Sequence, residues 1–271
     1  MFVHDPKYCK YISKSILEQH SWEGDHARRL INAMKAVNST HKHGRGSMLD
    51  IGANVGYFGM SVAAAGFNVV GVEPALYNTE LIAASIAISG LQDKFRLYKS
   101  AVSNTPAEAL CAMPNEAVGG DAAHNQGNFQ LRPVADCKAR GDDYKGSEIV
   151  PVQTIDSILA GDPAVASVCF DALKIDVEGF ETKALQGSSS VLRGKCPPCF
   201  ILLEYINQPS MFELLVDDLG YVCKGLGHKR ANGQWKVNPM DAVKPYSSIT
   251  DQDFQCKLKS HARCSAVTMD V

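Results

Sequence analysis

The feature that most constrains the fold of this chain is a repeated alternation of short apolar runs with helix-like patterns. The strand-like runs lie at residues 48–52, 68–73, 95–102, 169–176, 199–205 and 221–226. Between them, apolar residues follow helical spacing near 57–65, 76–89, 180–192 and 210–219. Strands that alternate with helices in this way predict an α/β architecture, a mostly parallel sheet with helices on both faces.

Two segments depart from that alternation. Residues 5–38 predict two helices with a break near 21–25, and we expect residues 1–45 to form an N-terminal helical extension packed on the core. Residues 104–150 are rich in Gly, Asn, Asp and Pro. They predict an insertion built around a β-hairpin, of the kind that covers the substrate in α/β enzymes. We expect residues 46–271 to be one domain that contains this insertion.

Charge and hydropathy exclude several classes of function. The 271 residues include 27 Lys+Arg and 29 Asp+Glu, for a net charge of -2. That balance disfavours a general binder of nucleic acids or anionic membranes, which would carry a basic excess. No stretch approaches the ~18 consecutive apolar residues of a spanning helix, and charges stand where a signal peptide would be apolar. We therefore expect a soluble protein, cytoplasmic if the chain is the whole gene product, unless a targeting or anchoring segment was removed.

The cysteines are numerous but scattered. Nine is an odd count in a chain long enough to build its own core, which does not indicate a disulfide scaffold. Cys169, Cys199 and Cys223 stand in apolar runs and are predicted to be small buried hydrophobic residues. The segment Cys196-Pro197-Pro198-Cys199 has half the spacing of a zinc site. Because no second Cys or His pair accompanies it, we expect no metal there.

The first strand runs into a glycine-punctuated turn that opens a helix. Such a turn lies at the carboxyl edge of the sheet, where open α/β folds bind ligands. Gly52 and Gly56 allow the backbone to approach a ligand closely. A dinucleotide-binding turn would have glycine at position 54 to admit a pyrophosphate, but Asn54 stands there. Asp50 would repel a pyrophosphate, whereas it can hold an ammonium group, so the turn favours a cofactor with an amino-acid end.

An acidic residue, Glu73, ends the second strand. At this position a carboxylate can accept hydrogen bonds from both ribose hydroxyls of an adenosine. Together with Asp50 and the glycine turn, Glu73 predicts a site for S-adenosylmethionine (SAM). A dinucleotide of the NAD type and a purely structural turn are the alternatives.

A third motif places carboxylates after a later strand. Asp176 and Glu178 follow the strand, Glu181 stands in the first turn of the next helix, and Glu204 lies at the end of the strand after that. With LDIGANVGYFG, GVEP, KIDVEGFE, ALQG and ILLEY, the chain resembles the FkbM-type SAM-dependent methyltransferases over residues 20–226.

That resemblance implies the Rossmann-like class I methyltransferase fold, a seven-stranded sheet with its last strand antiparallel. The closing strand would then be the strand-like run at 264–268. The family methylates oxygen, so the resemblance implies transfer to a hydroxyl of a small molecule or saccharide. It assigns the cofactor to Asp50, Gly52, Asn54, Gly56 and Glu73, with Ser100 and Ala101 near the adenine. Tyr57 either packs on the cofactor or belongs to the core.

The resemblance also assigns Asp176, Glu178 and Glu181 to the acidic motif beside the methyl group. Our hypothesis is that Asp176 or Glu178 is the base, or orients the hydroxyl. The alternative is that either residue caps the following helix or pairs with Lys174 or Lys183. Glu204 either lines the acceptor pocket or bonds a neighbouring loop. The carboxylates of Asp176, Glu178 and Glu204 could together bind a divalent ion, but no motif in the sequence predicts a metal site.

The sequence also leaves two other functions to consider, non-catalytic SAM binding and methylation of a nucleic acid or protein. A non-catalytic SAM-binding protein would keep the cofactor turn and lose the acidic motif, which is intact here. Nucleic-acid methyltransferases usually carry an Asx-Pro-Pro-aromatic motif after the fourth strand, where this chain has Asp-Val-Glu-Gly. A protein acceptor and the oligomeric state stay open.

Overall fold

The computed structural model describes residues 1–7, 9, 11–39, 46–115, 125–140, 147–229, 235–237 and 240–269. Its centre is a seven-stranded sheet in the order β10-β13-β9-β8-β1-β2-β3. These strands are β1 (Ser47–Ile51), β2 (Asn68–Glu73), β3 (Phe95–Lys99), β8 (Ala172–Ile175), β9 (Phe200–Tyr205), β10 (Tyr221–Gly225) and β13 (Gln252–Leu258). Strands β1 and β8 form the middle of the sheet and are buried along their whole length.

The strand register brings the acidic residues of the motifs to one edge. β1 pairs in parallel with β2 and β8, and β8 pairs in parallel with β9. Because parallel strands end at the same edge, Glu73, Asp176 and Glu204 lie along that edge. The antiparallel β13 begins there, and its Asp253 is the direct partner of Glu204.

The closing strand is not the one expected. Residues 252–258 form the antiparallel strand, whereas Cys264 ends a 3₁₀ turn, Ala262–Cys264. Gln252 and Gln255 are both buried in this strand. These polar residues interrupt the apolar pattern that sequence reasoning relies on, which is why the prediction of 264–268 was wrong.

Helices pack against the sheet and position the turns at its edge. They are α1 (Ile12–Gln19), α2 (Gly24–Ser39), α3 (Tyr57–Ala64), α4 (Leu76–Ser89), α5 (Val134–Arg140), α6 (Ile155–Ala160), α7 (Glu181–Gln186), α8 (Ser189–Leu192) and α9 (Pro209–Phe212). A π-helical turn, Glu213–Asp218, and a 3₁₀ turn, Tyr246–Ser248, complete the described helical segments. Helix α2 buries Leu30, Met34 and Val37 in the same core cluster as β1, β8 and β9. In the described ranges, no helix combines the length and the apolarity that crossing a bilayer requires.

The insertion forms a second sheet beside the site. Its order is β4-β7-β5-β6, from β4 (Ala101–Val102), β5 (Ala107–Asn115), β6 (Asn125–Arg132) and β7 (Glu148–Gln153). The single strand expected at 95–102 is therefore broken at Ser100. The Ser100 amide still donates to the carbonyl of Glu73 at the end of β2, and the chain then pairs with β7. A short hairpin, β11 (His228–Lys229) with β12 (Trp235–Val237), precedes the closing strand.

Eight of the nine cysteines form disulfides. The bridges are Cys111–Cys137, Cys169–Cys196, Cys199–Cys264 and Cys223–Cys256. Cys199 and Cys223 are buried in the core as expected, but Cys169 is exposed. All three are disulfide-bonded, which the sequence did not predict because their partners are distant in sequence and spacing alone does not reveal them. Bridges of this number are typical of proteins that fold in oxidising compartments, so they do not favour the cytoplasmic location expected from the sequence.

The bridge between Cys199 and Cys264 closes a segment of 65 residues. Replacing both cysteines by alanine is expected to lower the free energy of unfolding by about 4 kcal/mol, because the unfolded chain regains the freedom of that loop. Urea unfolding of the oxidised protein measures this loss. Ser265→Ala, at an exposed neighbour of Cys264, is the control that leaves the midpoint unchanged. Equal unfolding midpoints for the double variant and the control would contradict the bridge.

Candidate functional site

A cavity open to solvent lies at the carboxyl edge of the central sheet. Clefts at this edge are the usual ligand sites of open α/β sheets. The lining residues come from five parts of the chain: Gly52, Asn54, Val72, Glu73, Pro74, Ser100, Ala101, Val102, Phe129, Leu131, Asp176, Val177 and Glu178.

The glycine turn forms the floor of the cavity. A Cβ on Gly52 would lie 1.9 Å from the backbone oxygen of Asp176, and its φ is +79°. Only glycine therefore allows the end of β1 to pass this close to the end of β8. Asn54 and Gly56 also have positive φ, at 54° and 82°. Gly56 faces Ile82 of α4, so it shapes the turn without lining the cavity.

Glu73 is buried at the end of β2 with its carboxylate at the cavity. It accepts hydrogen bonds from the amides of Asn54 (2.9 Å) and Ala75 (3.1 Å) and from Nδ2 of Asn78 (3.0 Å). Burial raises the pKa of the Glu73 carboxyl to about 7, although these three donors oppose the rise. Glu73 is thus a fixed acceptor that changes protonation near neutral pH.

Lys174 is a buried cation under the floor of the cavity. Its Nζ donates to the carbonyl of Gly52 at 2.6 Å and lies 3.8 Å from Asp50 and 3.4 Å from Asp176. Burial lowers the pKa of Lys174, but the carboxylates of Asp176 and Asp50 outweigh that effect and the pKa is raised. The lysine is therefore charged and joins the two motifs electrostatically.

Asp50 lies below the cavity and does not line it. The residue is fully buried, and burial raises the pKa of its carboxyl while the Lys174 ammonium opposes the rise. The sequence predicts that Asp50 holds the ammonium of the cofactor, whereas in the structure its carboxylate lies 3.8 Å from the ammonium of Lys174. A direct contact with a ligand in the cavity is not part of this arrangement.

Asp176 and Glu178 both line the cavity, at the end of β8. The Asp176 side chain pairs with Lys174, as one alternative from the sequence has it, and it remains 37% exposed at the cavity. Glu178 has φ 52° and is followed by Gly179 at 94°. Two left-handed residues in succession make a tight turn, and such strained turns occur preferentially at functional sites.

Glu181 is placed differently from a group that touches substrate. It is fully buried and accepts hydrogen bonds from the amides of Val177 and Gly179, at 2.9 and 3.1 Å. The side-chain amide of Gln208 also donates to it. The carboxylate thus holds the turn that carries Glu178, and it does not line the cavity.

A row of further polar groups continues from Asp176 along the sheet edge. Glu204 and Asp253 are neighbours on paired strands, and His26 of α2 lies 3.8 Å from Asp253 and 3.6 Å from Glu23. Burial and the adjoining carboxylates raise the pKa of both Glu204 and Asp253. The neutral form of Glu204 is therefore favoured relative to an exposed glutamate.

Two groups along this edge bring together possible metal ligands: the first offers only carboxylate oxygens, as a hard cation takes, and the second includes an imidazole, as transition metals take. Asp176, Glu178 and Glu204 form one, Glu23, His26 and Asp253 the other, and within each group the candidate ligand atoms lie within 4.8 Å of one another. The Lys174 ammonium already supplies a positive charge to the first group.

The remaining predicted residues divide between the cavity and the core. Ser100 and Ala101 line the cavity, beside Phe129 and Leu131 from strand β6 of the insertion. The Tyr57 hydroxyl instead lies 3.2 Å from the Ser21 hydroxyl, and the ring packs on the core. Phe129 and Leu131 were missed from the sequence; their alternation in Asn128-Phe129-Gln130-Leu131 is the signal that points both side chains to one face.

The Lys174 ammonium generates a prediction about stability. Lys174→Met is expected to lower the free energy of unfolding by about 3–5 kcal/mol, because the Asp50 carboxylate is left buried without its counter-charge. Urea unfolding measures the loss. Lys183→Met, at an exposed lysine of α7, is the matched control and changes stability by less than about 0.5 kcal/mol.

Adding Asp50→Asn to Lys174→Met should recover part of the loss, since the stranded charge is removed. A Lys174→Met protein as stable as the control would show that the buried pair does not support the fold.

Solved structures of methyltransferases are similar to this chain at low sequence identity. The C-terminal domain of precorrin-6Y C5,15-methyltransferase from Rhodobacter capsulatus is 12% identical, with a TM-score of 0.45 over 89% of this chain and 92% of that chain. An O-methyltransferase from Bacillus cereus in complex with SAH is 11% identical, with a TM-score of 0.46 over 96% and 93%. The O-methyltransferase TomG from Streptomyces achromogenes in complex with SAM is 10% identical, with a TM-score of 0.47 over 96% and 93%.

None of the curated proteins matches the chain at a significant level. The sequence profile of the Methyltransferase FkbM domain matches residues 50–223, which is more than half of the 271 residues. The match begins at Asp50, at the end of β1, and ends within β10. The seven-stranded sheet with one antiparallel strand is the expected Rossmann-like class I arrangement. The chain therefore belongs to the FkbM methyltransferase domain family and is a SAM-dependent methyltransferase.

Proposed function

We propose that the protein transfers the methyl group of SAM to a hydroxyl of a small molecule or saccharide. The observation that carries the proposal is that one cavity joins Glu73 at the end of β2 with Asp176 and Glu178 at the end of β8. The Gly52–Asn54 turn lies between them. The same cavity therefore contains a carboxylate suited to the ribose of the cofactor, that of Glu73, and two carboxylates suited to an acceptor hydroxyl, those of Asp176 and Glu178.

The residues of this cavity fit the cofactor. The buried carboxylate of Glu73 offers two oxygens to the ribose hydroxyls. Ala101, Val102, Phe129 and Leu131 supply an apolar wall suited to the adenine. The Gly52–Asn54 turn, where a Cβ would collide with β8, leaves its backbone to the methionine end. SAM supplies an activated methyl group there.

The residues of the acidic motif position and deprotonate the acceptor. Holding a hydroxyl in line with the methyl group can lower the barrier by ~7–11 kcal/mol. The hydroxyl also loses its proton as the new bond forms, and a base within hydrogen-bond reach contributes ~10²–10⁴-fold. We assign Asp176 as the base that accepts this proton, because its side chain is 37% exposed and is held in place by Lys174. Glu178 orients the hydroxyl, and Glu181 acts as a positioning residue that holds the turn beneath Glu178.

The row beyond Asp176 suits an acceptor with several hydroxyl groups. Glu204, Asp253 and Glu23 offer oxygens that accept hydrogen bonds, and we assign Glu204 to the acceptor side of the site. These acidic groups do not suit a phosphate-bearing acceptor, which cationic side chains bind. They support a small or saccharide acceptor over a nucleic acid, while a protein acceptor is the remaining alternative.

SAM affinity is expected to depend on the protonation of Glu73. The pKa of Glu73 is about 7 in the free protein, so its ribose-binding carboxylate becomes protonated as the pH falls through neutrality. Calorimetric titration should show SAM binding ~10-fold weaker at pH 6 than at pH 8. Glu73→Gln, which removes the ionisable group, should bind weakly and lose this slope. The same slope in Glu73→Gln would show that another group is responsible.

Turnover is expected to depend on Asp176. Asp176→Asn should lower the rate of SAH formation by ~10²–10⁴-fold in the presence of an acceptor, with SAM affinity within about 2-fold of wild type. The acceptor is identified first, by incubating the wild-type enzyme and SAM with a panel of sugars, polyols and phenols and measuring the SAH formed. Asp162→Asn, at a carboxylate remote from the cavity that bonds Tyr98, is the matched control. If Asp176→Asn and Glu178→Gln both keep normal turnover, the assignment of the base fails.

A further inference from the structure

The N-terminal segment lies against the helix that follows Glu73. The amide of Phe2 donates to the Ser85 hydroxyl of α4 at 2.6 Å, and the His4 ring meets Tyr77 edge-on with centroids 4.6 Å apart. Cys9 packs in a small cluster with Val55 of the glycine turn. This segment lies before the part of the chain that the family profile matches.

A hydrogen-bonded chain runs from this segment to the cavity. Nε2 of His4 lies 2.6 Å from Oδ1 of Asn78, and Nδ2 of Asn78 donates to Oε1 of Glu73 at 3.0 Å. All three residues are buried, His4 and Asn78 being each 1% exposed and Glu73 4%. Water therefore has little access to these groups and cannot readily replace a lost hydrogen-bond partner. Each hydrogen bond of the chain thus constrains the orientation of the next side chain.

The chemistry of the chain fixes the direction of its donors. Because a carboxylate accepts, the Asn78 group facing Glu73 is the NH₂, and its carbonyl oxygen faces His4. Nε2 of His4 must then carry the proton that Asn78 accepts. Nδ1 of His4 is buried without a hydrogen-bond partner among the described residues, and burial lowers the pKa of the ring. His4 is thus a neutral donor with one defined tautomer.

We propose that His4 is a positioning residue of the cofactor site, which acts through Asn78 to aim the Glu73 carboxylate at the ribose hydroxyls. The inference rests on the proposed role of Glu73. It makes the N-terminal segment part of the binding site, although no residue of that segment lines the cavity. Without His4, the Asn78 amide loses the partner that holds its orientation, and Glu73 loses a fixed donor.

The test is calorimetric titration of the full chain with S-adenosylhomocysteine and with its 2′,3′-dideoxyribose analogue, which lacks the hydroxyls that Glu73 would hold. His4→Leu removes the donor. It is expected to weaken binding of S-adenosylhomocysteine ~5–10-fold and binding of the analogue less than about 2-fold. His4→Gln places an amide NH₂ near the position of Nε2 and should restore most of the affinity.

Two further variants separate positioning from docking of the segment. Asn78→Ala should weaken S-adenosylhomocysteine binding, and adding His4→Leu to it should cost little more, because both changes break one chain. Ser85→Ala removes the separate tie to Phe2 and is the matched control, with affinity unchanged for both ligands.

The possible failures are distinguishable. If the wild type binds neither ligand, the proposed function falls and this inference with it. If Glu73→Gln binds S-adenosylhomocysteine as tightly as wild type, the ribose role of Glu73 is wrong. If Glu73→Gln weakens binding but His4→Leu does not, or weakens both ligands equally, His4 has no positioning role. Should His4→Leu fail to fold, His4→Phe decides between the same outcomes, because it keeps a ring against Tyr77 and removes the donor to Asn78.

Discussion

The buried ammonium of Lys174 is the interaction on which the two halves of the site depend. From the middle strand β8 it bonds the carbonyl of Gly52 at the end of β1 and pairs with Asp50 and Asp176. An isolated charge in this place would be costly, and two carboxylates offset that cost. Because one group contacts both motifs, the cofactor turn and the acidic motif are held at a fixed separation.

The parallel sheet then concentrates acids where a ligand binds. Strands β2, β8 and β9 end at one edge, so Glu73, Asp176 and Glu204 come together there, with Asp253 on the adjoining strand. Burial raises the pKa of three of these carboxyls, those of Glu73, Glu204 and Asp253, and neighbouring carboxylates add to the rise at Glu204 and Asp253. Such an arrangement opposes stability near neutral pH, which is the usual compromise of a site that must hold polar ligands.

The site is completed by segments that lie outside the recognisable motifs. The insertion contributes Phe129 and Leu131 to the wall, and the N-terminal segment reaches Glu73 through His4 and Asn78. The sequence predicted that the insertion covers the substrate, but it identified neither Phe129 and Leu131 as lining residues nor the contact between His4 and Asn78. The aromatic and aliphatic pair resembles any strand, and a histidine near the start of a chain has no motif around it.

The sequence by itself determined the features that arise from local pattern. These are the alternation of strands and helices, the turn at Gly52, and the acids that end strands β2, β8 and β9. Only the tertiary structure decided which strand closes the sheet, which cysteines pair, and that Glu181 holds a turn while Lys174 links two motifs. Those outcomes join residues far apart in the chain, and their partners are set by strand order and burial, which a local pattern does not encode.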